Sequence, residues 1–535
     1  MPVLRVHTED GEREILFTPG NSLRDILAAG CIQVRSGCGG VGSCGLCLVR
    51  IEAGAVNDRT EQELSRLRPE ELRAGVRFAC QVKPLEDIRV TILHPPPHSL
   101  WRPLSRDDLA RFHPPLEARR ATGKKTPFGV AVDLGTTHIR LTLWDMGNGV
   151  RLAGRSGLNP QASSGSDVMT RLTAACASPE RAREIAMQAR EAIGEALSDI
   201  ANKEGCCPAK IGRIVIVGNS AMLTLLAERN YELLLKPAYW TSVIDCRPEE
   251  TSSWCASWGL KPALEVELVQ PLAGFVGSDL LACVLATRLI HGPAGALLID
   301  FGTNSEIALW DGKTIRVTSA AGGPAFEGCG VSCGMPAEPG AVFRVEQHPH
   351  PPGFSCEVIG GGEALGICGS GLVDIIAILR KAGKLNSAGR VVRGAGNDSE
   401  VFMAGREELI LKKRDIDAFQ RAKAAIGAGT KCLMEMAGIG MEDLRRVCVC
   451  GAFGRFLNVP NAQAIGLLPG IAADKVELCG NSALAGCEFL LFSMESGNSL
   501  EEVRNKTQIV NLAQAPEFEE LFVENLYLRP LRLGM

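Results

Sequence analysis

The chain has 535 residues, of which 46% are hydrophobic and 22% charged, a composition typical of a soluble globular protein with more than one domain. Its formal net charge of −4 argues against nucleic-acid or membrane-surface binding, and no run of about 18 apolar residues predicts a membrane span. The start, MPVLRVHTED, has no signal-peptide pattern, so the 20 cysteines favour reduced thiols or a metal centre in a cytoplasmic protein rather than disulfides.

The first 94 residues predict a compact domain that mixes strands and helix. VLRVHT (3–8) and REILFT (13–18) predict two strands joined by a turn, and SLRDILAAG predicts a short helix capped by Asn21 or Ser22. Strands are predicted again in LCLVRIEAG and at the end of GVRFACQVKPLEDIRVTIL. Between the helix and the next strand lies SGCGGVGSCGLCLVR, which is the most unusual stretch of the chain because it is rich in both cysteine and glycine.

The cysteines of this stretch have the spacing of a metal centre. Cys38, Cys44 and Cys47 follow a C-x5-C-x2-C pattern, and Cys80 comes 33 positions after the third. A structural zinc site usually has two C-x2-C pairs, whereas this pattern has one. A [2Fe–2S] cluster takes four thiolates, and a loop without Cβ atoms can curl around it with backbone N–H groups near the sulfurs. The pattern favours the cluster, with zinc and free thiols as the alternatives.

Residues 1–94, including RFACQ around Cys80, resemble the ferredoxin-like [2Fe–2S] domains of the β-grasp fold. The spacing has one residue more than the plant-type C-x4-C-x2-C pattern and is similar to that of the adrenodoxin type. The resemblance implies that Cys38, Cys44, Cys47 and Cys80 ligate the iron.

Residues 95–127 predict a linker. They contain prolines at positions 95, 96, 97, 103, 114 and 115, with basic residues near the end. Proline-rich chain is extended and semi-stiff, so the linker can set a distance as well as join two parts. We expect no core shared across it, and a cut there should leave both parts folded.

From Phe128 the chain alternates strand, turn and helix, which predicts α/β architecture. VAVDLGTTHIRLTLWD is echoed by ALLIDFGTNSEIALWDG, each with an apolar strand, Asp, an apolar residue, Gly-Thr and a second strand that ends in Trp-Asp. Two copies of one hairpin predict a duplicated domain over 128–535, with halves of roughly 128–295 and 296–535.

The repeated Asp-x-Gly-Thr turns predict a nucleotide site. An Asp at a strand end can hold Mg²⁺ through water, and the turn offers backbone and hydroxyl donors to phosphate, so two facing turns can clamp a polyphosphate. In VCVCGAFGRF (447–456) an apolar strand runs into small residues that let a nucleoside approach the backbone. The candidates are Asp133 and Asp300 for Mg²⁺ or the attacking water, Gly135, Thr136, Thr137, Gly302, Thr303 and Asn304 for the phosphates, and Gly451 and Gly454 for the nucleoside.

These motifs resemble the phosphate 1, phosphate 2 and adenosine motifs of the RNase H-like superfamily of acetate and sugar kinases, Hsp70 and actin. With VIVGNSAML, SAAGGPAFEGCGVSCGMPAEPGAV, GICGSGLVDIIAIL and GAFGRFLNVPNAQAIGLLPG, they resemble one family over nearly the whole chain: the ATP-dependent reductive activators of corrinoid proteins. The resemblance implies one-electron reduction of a cobalt(II) corrinoid protein to cobalt(I), with a [2Fe–2S] cluster, ATP and Mg²⁺. It further implies an O-demethylase or related methyltransferase system of anaerobic metabolism.

The resemblance also implies partners, and it leaves one alternative function. The partners are a corrinoid protein and a reducing electron donor. Relatives often carry a small dimerisation domain after the linker, but here the linker runs almost directly into TPFGVAVDLG, so a homodimer stays open. The alternative is a small-molecule kinase of the same superfamily with an appended redox domain. An activator of a radical dehydratase would lack the N-terminal ferredoxin, and a simple electron carrier would leave both Asp-x-Gly-Thr turns unexplained.

A few further residues have an open role. Glu306 reads equally as a neighbour of the nucleotide site and as a polar strand residue, and Ser319 reads as a turn serine rather than one that faces the corrinoid. The remaining thiols have no set of four with ligand spacing and are predicted to be buried small residues; they include Cys206, Cys207, Cys329, Cys333, Cys448 and Cys450.

Overall fold

The computed structural model describes residues 1–535 apart from 9–10, 31, 33, 35–39, 41, 43–44, 46, 94–100, 105–126, 166, 303, 329, 350–351, 393–410, 452, 494–495 and 532–535. It divides into two compact units, residues 1–100 with 162–167 and residues 101–161 with 168–535. Among the helices of these described residues, none is long and apolar enough to cross a membrane.

The first unit is built on one five-stranded sheet. Its elements are β1 (Val3–Thr8), β2 (Gly11–Leu16), α1 (Leu23–Ala29), β3 (Leu48–Ala53), α2 (Glu61–Arg66), α3 (Pro69–Arg73), β4 (Val76–Phe78) and β5 (Ile88–Ile92). The strand order is β2-β1-β5-β3-β4, with β1 parallel to β5 and the other pairs antiparallel. Alternate strand residues point to opposite faces, and one apolar face, with Val6, Val49 and Val90, builds the core.

The strands and the helix predicted for this unit are present, and one strand is shifted along the sequence. The second strand begins at Gly11, two residues earlier than predicted, because Gly11 adopts a φ of 119° and pairs directly with Thr8. The helix has the predicted N-cap: the Ser22 side chain accepts a hydrogen bond from the backbone N–H of Asp25, at 3.2 Å.

The second unit carries the remaining elements. Its strands are β6 (Trp101–Pro103), β7 (Phe128–Leu134), β8 (His138–Asp145), β9 (Val150–Leu158), β10 (Ile211–Gly218), β11 (Glu265–Leu268), β12 (Ala296–Asp300), β13 (Ser305–Trp310), β14 (Ile315–Ala320), β15 (Ala341–Pro349), β16 (Pro352–Val358), β17 (Gly366–Ile367), β18 (Arg446–Cys450), β19 (Val476–Gly480) and β20 (Thr507–Ile509). Its helices are α4 (Val168–Ala175), α5 (Pro179–Glu204), α6 (Ser220–Ala227), α7 (Ser252–Ser257), α8 (Ser278–Ala286), α9 (Gly369–Lys381), α10 (Lys413–Ala437), α11 (Val459–Ala464), α12 (Ser482–Phe492), α13 (Ser496–Lys506) and α14 (Phe518–Asn525).

Two six-stranded sheets of the second unit share one topology in five of their strands, whereas the sixth strand is antiparallel in the first sheet (β6) and parallel in the second (β20). Their orders are β11-β10-β7-β8-β9-β6 and β19-β18-β12-β13-β14-β20. In each, three antiparallel strands (β7-β8-β9 or β12-β13-β14) are joined by two strands that run parallel to the first of them (β10 and β11, or β18 and β19). The register is also equivalent, because Val217 is paired with Asp133 in the first sheet and Cys450 with Asp300 in the second. The duplication predicted from the two hairpins is therefore confirmed, and both aspartates lie at the same position of their sheets.

The two halves of this unit meet through a pair of helices. Helices α8 and α12 pack so closely that a Cβ on Gly486 would lie 2.0 Å from the carbonyl oxygen of Ala282. The two helices have matching sequences, GSDLLAC and NSALAGC, across their start. Helix α12 begins just after strand β19, and helix α8 begins after the loop that follows strand β11. Both helix N-termini therefore lie toward the strand ends that carry Asp133 and Asp300.

Residues 101–103 of the predicted linker differ from expectation, because they form a strand. Strand β6 pairs antiparallel with β9, with Trp101 opposite Gly157 and Pro103 opposite Arg155. The Trp101 side chain is 4% exposed and belongs to the core of the first half. The three-residue strand is hard to predict from the sequence because it contains Pro103, which a sheet edge tolerates.

We expect Trp101→Ala to lower the free energy of unfolding of the second unit by about 3–5 kcal/mol, because it empties a large buried site. Urea unfolding of the full chain, followed by circular dichroism, measures the change. Val150, which is 51% exposed at the start of β9, provides the control, and Val150→Ala should change stability by no more than about 0.5 kcal/mol. Equal stabilities for the two variants would show that β6 adds nothing to this unit.

Candidate functional site

Two of the four predicted iron ligands lie together in the first unit. The sulfur atoms of Cys47 and Cys80 are 3.4 Å apart, and the two residues are 2% and 9% exposed. This separation is too long for a disulfide bond and suits two thiolates that share a metal centre. Cys38 and Cys44 lie outside the described residues, so the predicted set of four remains a prediction.

The loop that leads to Cys47 needs its glycines. Gly40, Gly42 and Gly45 have φ values of 102°, 77° and 71°, a region that other residues rarely adopt. The side-chain amide of Gln81 donates to the carbonyl oxygen of Gly40 at 2.9 Å and lies 3.6 Å from the sulfur of Cys80. Gln81 was not predicted from the sequence. It joins the loop to the distant ligand and places an N–H group near the sulfur.

A buried ion pair positions the strand that leads to Cys80. Arg77 donates to the fully buried carboxylate of Glu63 at 2.7 and 2.9 Å, and the same carboxylate accepts from the backbone N–H groups of Thr60 and Phe78. These hydrogen bonds, with Arg77 first among them, outweigh the effect of burial and lower the pKa of Glu63. The ion pair therefore holds strand β4 in place, and with it Cys80, which follows two residues after the strand.

The first Asp-x-Gly-Thr turn of the second unit is held rigidly. Asn159 donates to the carbonyl oxygen of Gly135 at 2.9 Å, and Asn219 donates to the hydroxyl of Thr136 at 2.8 Å. The hydroxyl of Thr137 donates to Glu327, a residue of the other half, at 3.3 Å. The turn is thus preorganised by amides from two neighbouring segments, and one contact already links it across the halves.

The second turn lies directly against the predicted nucleoside motif. Gly451 adopts a φ of 87°, and a Cβ there would lie 2.5 Å from the carbonyl oxygen of Phe301 and 3.0 Å from a carboxylate oxygen of Asp300. Gly302 and Asn304 form the described part of this turn, whereas Thr303 lies outside the described residues. Gly451 therefore leaves open the space beside Asp300 that any other residue would fill.

Gly454 is placed differently from its predicted role. It is buried, and a Cβ there would lie 2.7 Å from a side-chain carbon of Val449 on the preceding strand. Packing against β18 accounts for this glycine, so its contact with a nucleoside remains a prediction that the geometry does not require.

Four carboxylates gather at the strand ends: Asp133 and Glu306 are buried, and Asp279 and Asp300 are half-buried. Glu306 lies opposite Asp300 in the β12–β13 ladder, and the hydroxyl of Ser319 donates to it at 3.2 Å. The equivalent pair in the first half is Asp133 with Arg140, an ion pair at 3.6 Å. Arg140 is thus the cationic partner of Asp133 in a cluster that holds four acids.

Burial and mutual repulsion disfavour the charged forms of these acids. Burial raises the pKa of Asp133, and the pKa of Asp300 rises to about 6 through burial and the charge of Asp133. The pKa of Asp279 rises to about 7 through burial and the charge of Asp300. Glu306 has a pKa well above its ordinary value for the same reasons. A cluster with this excess of negative charge suits a hard cation with oxygen ligands, such as Mg²⁺.

The raised pKa of Asp279 predicts a pH dependence of stability. Well below pH 3.8 the carboxyl is protonated in both the folded and the unfolded chain, so it has no effect on stability. Between pH 3.8 and about 7 the unfolded chain loses the proton while the folded chain keeps it, so folded stability falls as pH rises. Relative to Asp279→Asn, which cannot ionise, the nucleotide-free parent should lose stability, on the order of a few kcal/mol, between pH 4 and 8.

Urea unfolding in EDTA at pH 5, 6, 7 and 8 measures this difference. Asp474→Asn, which removes an exposed carboxyl of the same unit, should follow the parent at every pH. A parent and an Asp279→Asn variant with parallel pH profiles would mean that Asp279 is ionised without penalty.

Several of these residues were not predicted from the sequence. Asp279 is the most important of them. The similarity of GSDLLAC to NSALAGC could have identified it, because Asp279 in the first segment corresponds to Ala483 in the second. Asn481 starts the second of these helices and lies close enough to Asp133 to lower its pKa. For Glu306 the structure favours the role near the site, and Ser319 is occupied by its hydrogen bond to Glu306.

Three family descriptions match the chain. Residues 6–85 match the 2Fe-2S iron-sulfur cluster binding domain, residues 128–291 match the RACo middle region, and residues 294–533 match the C-terminal domain of RACo, described as the ASKHA domain. The first match spans all four predicted iron ligands, and the other two meet between the duplicated hairpins.

Curated relatives match most of the chain. The corrinoid activation enzyme RamQ of Eubacterium limosum is 33% identical over 426 residues, which cover 75% of this chain and 70% of RamQ. The [Co(II) methylated amine-specific corrinoid protein] reductase of Methanosarcina barkeri is 27% identical over 437 residues, which cover 75% of this chain and 76% of the reductase. A solved structure, a reductive activator for corrinoid,iron-sulfur protein, shares the fold, with a TM-score of 0.69 and 24% identity over 99% of both chains.

Proposed function

Because this chain belongs to the family of ATP-dependent reductive activators of corrinoid proteins, we propose that it reduces an inactive cobalt(II) corrinoid protein to the cobalt(I) form. One observation carries this proposal: a single chain joins a buried thiol pair in a ferredoxin-like unit to a duplicated, acid-rich site in an ATPase fold. The reaction is a one-electron reduction that consumes ATP.

The first unit provides the electron. We assign Cys38, Cys44, Cys47 and Cys80 as ligands of a [2Fe–2S] cluster, which when bound supplies single electrons at a potential near −400 mV, as in plant-type ferredoxins. Gln81 holds the glycine loop in place and offers an N–H group to Cys80, while Glu63 and Arg77 keep the ligand strand rigid. These contacts limit the movement of the thiolates when the charge of the site changes.

The second unit provides the energy. If reduction of cobalt(II) is uphill by about 100–200 mV, the cost is about 2–5 kcal/mol per electron. Binding free energies of this size are within the range of a nucleotide-driven conformational change. We propose that ATP binding favours the complex with the cobalt(II) protein and that hydrolysis releases the cobalt(I) form.

The nucleotide lies between the two repeated turns in this proposal. The backbone and hydroxyl groups of residues 135–137 and 302–304 hold the phosphates, and Gly451 leaves room for the nucleoside beside Asp300. Asp133 and Asp300 would hold Mg²⁺, which supplies positive charge to the phosphates and to the acid cluster. Asp279 and Glu306, with their raised pKa values, hold protons that a bound cation would displace.

The setting follows from the same family. We propose a cytoplasmic protein of an O-demethylase or related methyltransferase system, with a corrinoid protein and a low-potential electron donor as its partners. Whether the chain acts as a homodimer is a separate proposal that sedimentation of the purified protein would test.

An anaerobic spectrum tests the proposed function. A cobalt(II) corrinoid protein is mixed with the cluster-loaded chain, a mild reductant and ATP, and the absorbance of cobalt(I) is followed. We expect cobalt(I) to form when the chain and ATP are both present and to be absent when either is omitted. Phosphorylation of an added sugar or acid, without cobalt(I), would instead identify the kinase alternative and overturn the proposal.

A further inference from the structure

A group of thiols lies at the edge of the second sheet, beside the nucleotide site. Cys448 and Cys450 are two positions apart on β18, so their side chains leave the same face of the sheet. On the adjacent strand β19, Glu477 is paired in register with Cys448, and Cys479 follows two positions later. The thiol of Cys479 donates to the backbone carbonyl oxygen of Glu477 at 3.5 Å.

Three of these residues are spaced like ligands of one ion. The sulfur atoms of Cys448 and Cys479 and a carboxylate oxygen of Glu477 all lie within 4.8 Å of one another. Among the described residues, this trio alone places three cysteine, histidine or acidic ligand atoms so close together. Zinc bonds of 2.3 Å to sulfur and about 2.1 Å to oxygen put tetrahedral ligands about 3.3–3.8 Å apart, so small rotations would close the site.

The duplicated first half shows what burial alone requires at these positions. There Val215 is paired with Glu267, as Cys448 is with Glu477. Along the chain, Val217 corresponds to Cys450, and Val269, which follows Glu267 by two positions, corresponds to Cys479. The first half fills all three positions with valine, and these valines belong to the same hydrophobic core as the thiols.

The accompanying ion pair is the same in both halves. Arg213 donates to Glu267 at 2.7 Å, and Arg446 donates to Glu477 at 2.8 and 2.6 Å. The halves therefore share their packing and their Arg–Glu pair and differ in three side chains that bring sulfur. Valine satisfies the packing, so packing does not explain why thiols occupy all three positions.

We propose that Cys448, Glu477 and Cys479 bind a thiophilic divalent cation of the zinc class. On binding, the two thiols release their protons to solvent and form metal–sulfur bonds, and no electron is transferred. Cys448 is fully buried, Cys479 is half-buried and Glu477 is exposed, so the ion has access from solvent and keeps a position for water. Arg446 orients the carboxylate from outside the ligand set.

The site is connected to both sides of the nucleotide site. On β18, Cys450 directly precedes Gly451, which lies against Asp300. After β19, Asn481 follows Cys479 by two positions, starts helix α12 and lies beside Asp133. A bound ion would therefore join the ends of the two strands that carry these residues. The proposal concerns metal binding alone and is independent of the proposed function.

Zinc stoichiometry in the full-length, cluster-loaded protein tests the proposal. The protein is dialysed anaerobically against zinc chloride, and zinc and iron are counted together by mass spectrometry. We expect the parent to bind about one zinc more per chain than Cys448→Val/Cys479→Val, whose valines copy the first half and so preserve packing. Cys246→Val/Cys255→Val, which removes two other buried thiols, should bind zinc as the parent does. Equal zinc in the parent and the Cys448→Val/Cys479→Val variant would overturn the site.

A second pair of variants keeps both thiols and tests the carboxylate. Glu477→Gln should weaken zinc binding at least about tenfold, whereas Glu267→Gln, the matched change in the first half, should leave it unchanged. Zinc should also protect Cys479, the half-buried thiol of the pair, from alkylation by iodoacetamide in the parent. Equal affinities for the two glutamine variants, or an unprotected Cys479, would show that Glu477 and the cysteines do not act together.

Discussion

Asp300→Asn should reduce ATP turnover by at least about 100-fold, the cost of removing a charged group that acts at the reacting phosphate. Asparagine has the same shape as aspartate, so it removes charge without opening a cavity. Asp300 lies within the cluster of acids, beside Gly451 and opposite Glu306. Release of phosphate from ATP by the full-length chain measures the effect.

The control for this variant lies in the other hairpin of the repeat, at the end of strand β8. Asp145→Asn changes the aspartate of the repeated Trp-Asp pair, which holds a turn residue, Asn148, rather than the acid cluster. It should change turnover less than about twofold, because surface changes away from a site have small effects. The iron content should stay at the parent value in both variants, since the predicted iron ligands lie in the other compact unit. Turnover at the parent rate in Asp300→Asn would exclude this carboxylate from the reaction.

Cys80→Ser should abolish cobalt(I) formation and lower the iron content well below the two irons per chain expected of a [2Fe–2S] protein. Serine keeps the size of the side chain but replaces the thiolate, and Cys80 is buried 3.4 Å from the sulfur of Cys47. ATP turnover should remain near the parent value, because the nucleotide site belongs to the other unit. Iron analysis, the visible spectrum and the cobalt(I) assay measure the three effects.

Cys176→Ser serves as the control, because Cys176 is an exposed thiol of the second unit. It should keep the iron content, the spectrum and cobalt(I) formation of the parent. Cobalt(I) formation at the parent rate in Cys80→Ser would mean that electrons reach the corrinoid by a route that does not need this ligand. Zinc in place of iron in the parent would reject the cluster itself.

Features that depend on neighbours in the chain could be predicted from the sequence. The spacing of Cys38, Cys44 and Cys47 is local, and glycine is needed wherever the loop adopts positive φ. Each Asp-x-Gly-Thr turn lies within one hairpin, so its two strands and its aspartate could be read directly. The repeat of that hairpin then predicted the duplicated sheets.

Features that depend on distant segments were decided by the tertiary structure. Asp279 joins Asp133 and Asp300 only because helix α8 begins at the edge where the strands end, and its sequence resembles an ordinary helix start. Glu306 was ambiguous because its role depends on the register that places it opposite Asp300. A shift of one residue would have pointed its side chain to the other face.

The same reason applies to Trp101 and to the thiols of the second sheet. Trp101 is far in the chain from Gly157, and a three-residue strand has too few positions to show a pattern. Cys448 and Cys479 are brought together by parallel pairing of β18 and β19, whose residues are joined by about 25 others. The sequence by itself determined the chemistry available in each unit, because ligand types and turns are local. Only the folded chain decided which carboxylates and thiols share one environment, because burial and charge act between residues that the topology brings together.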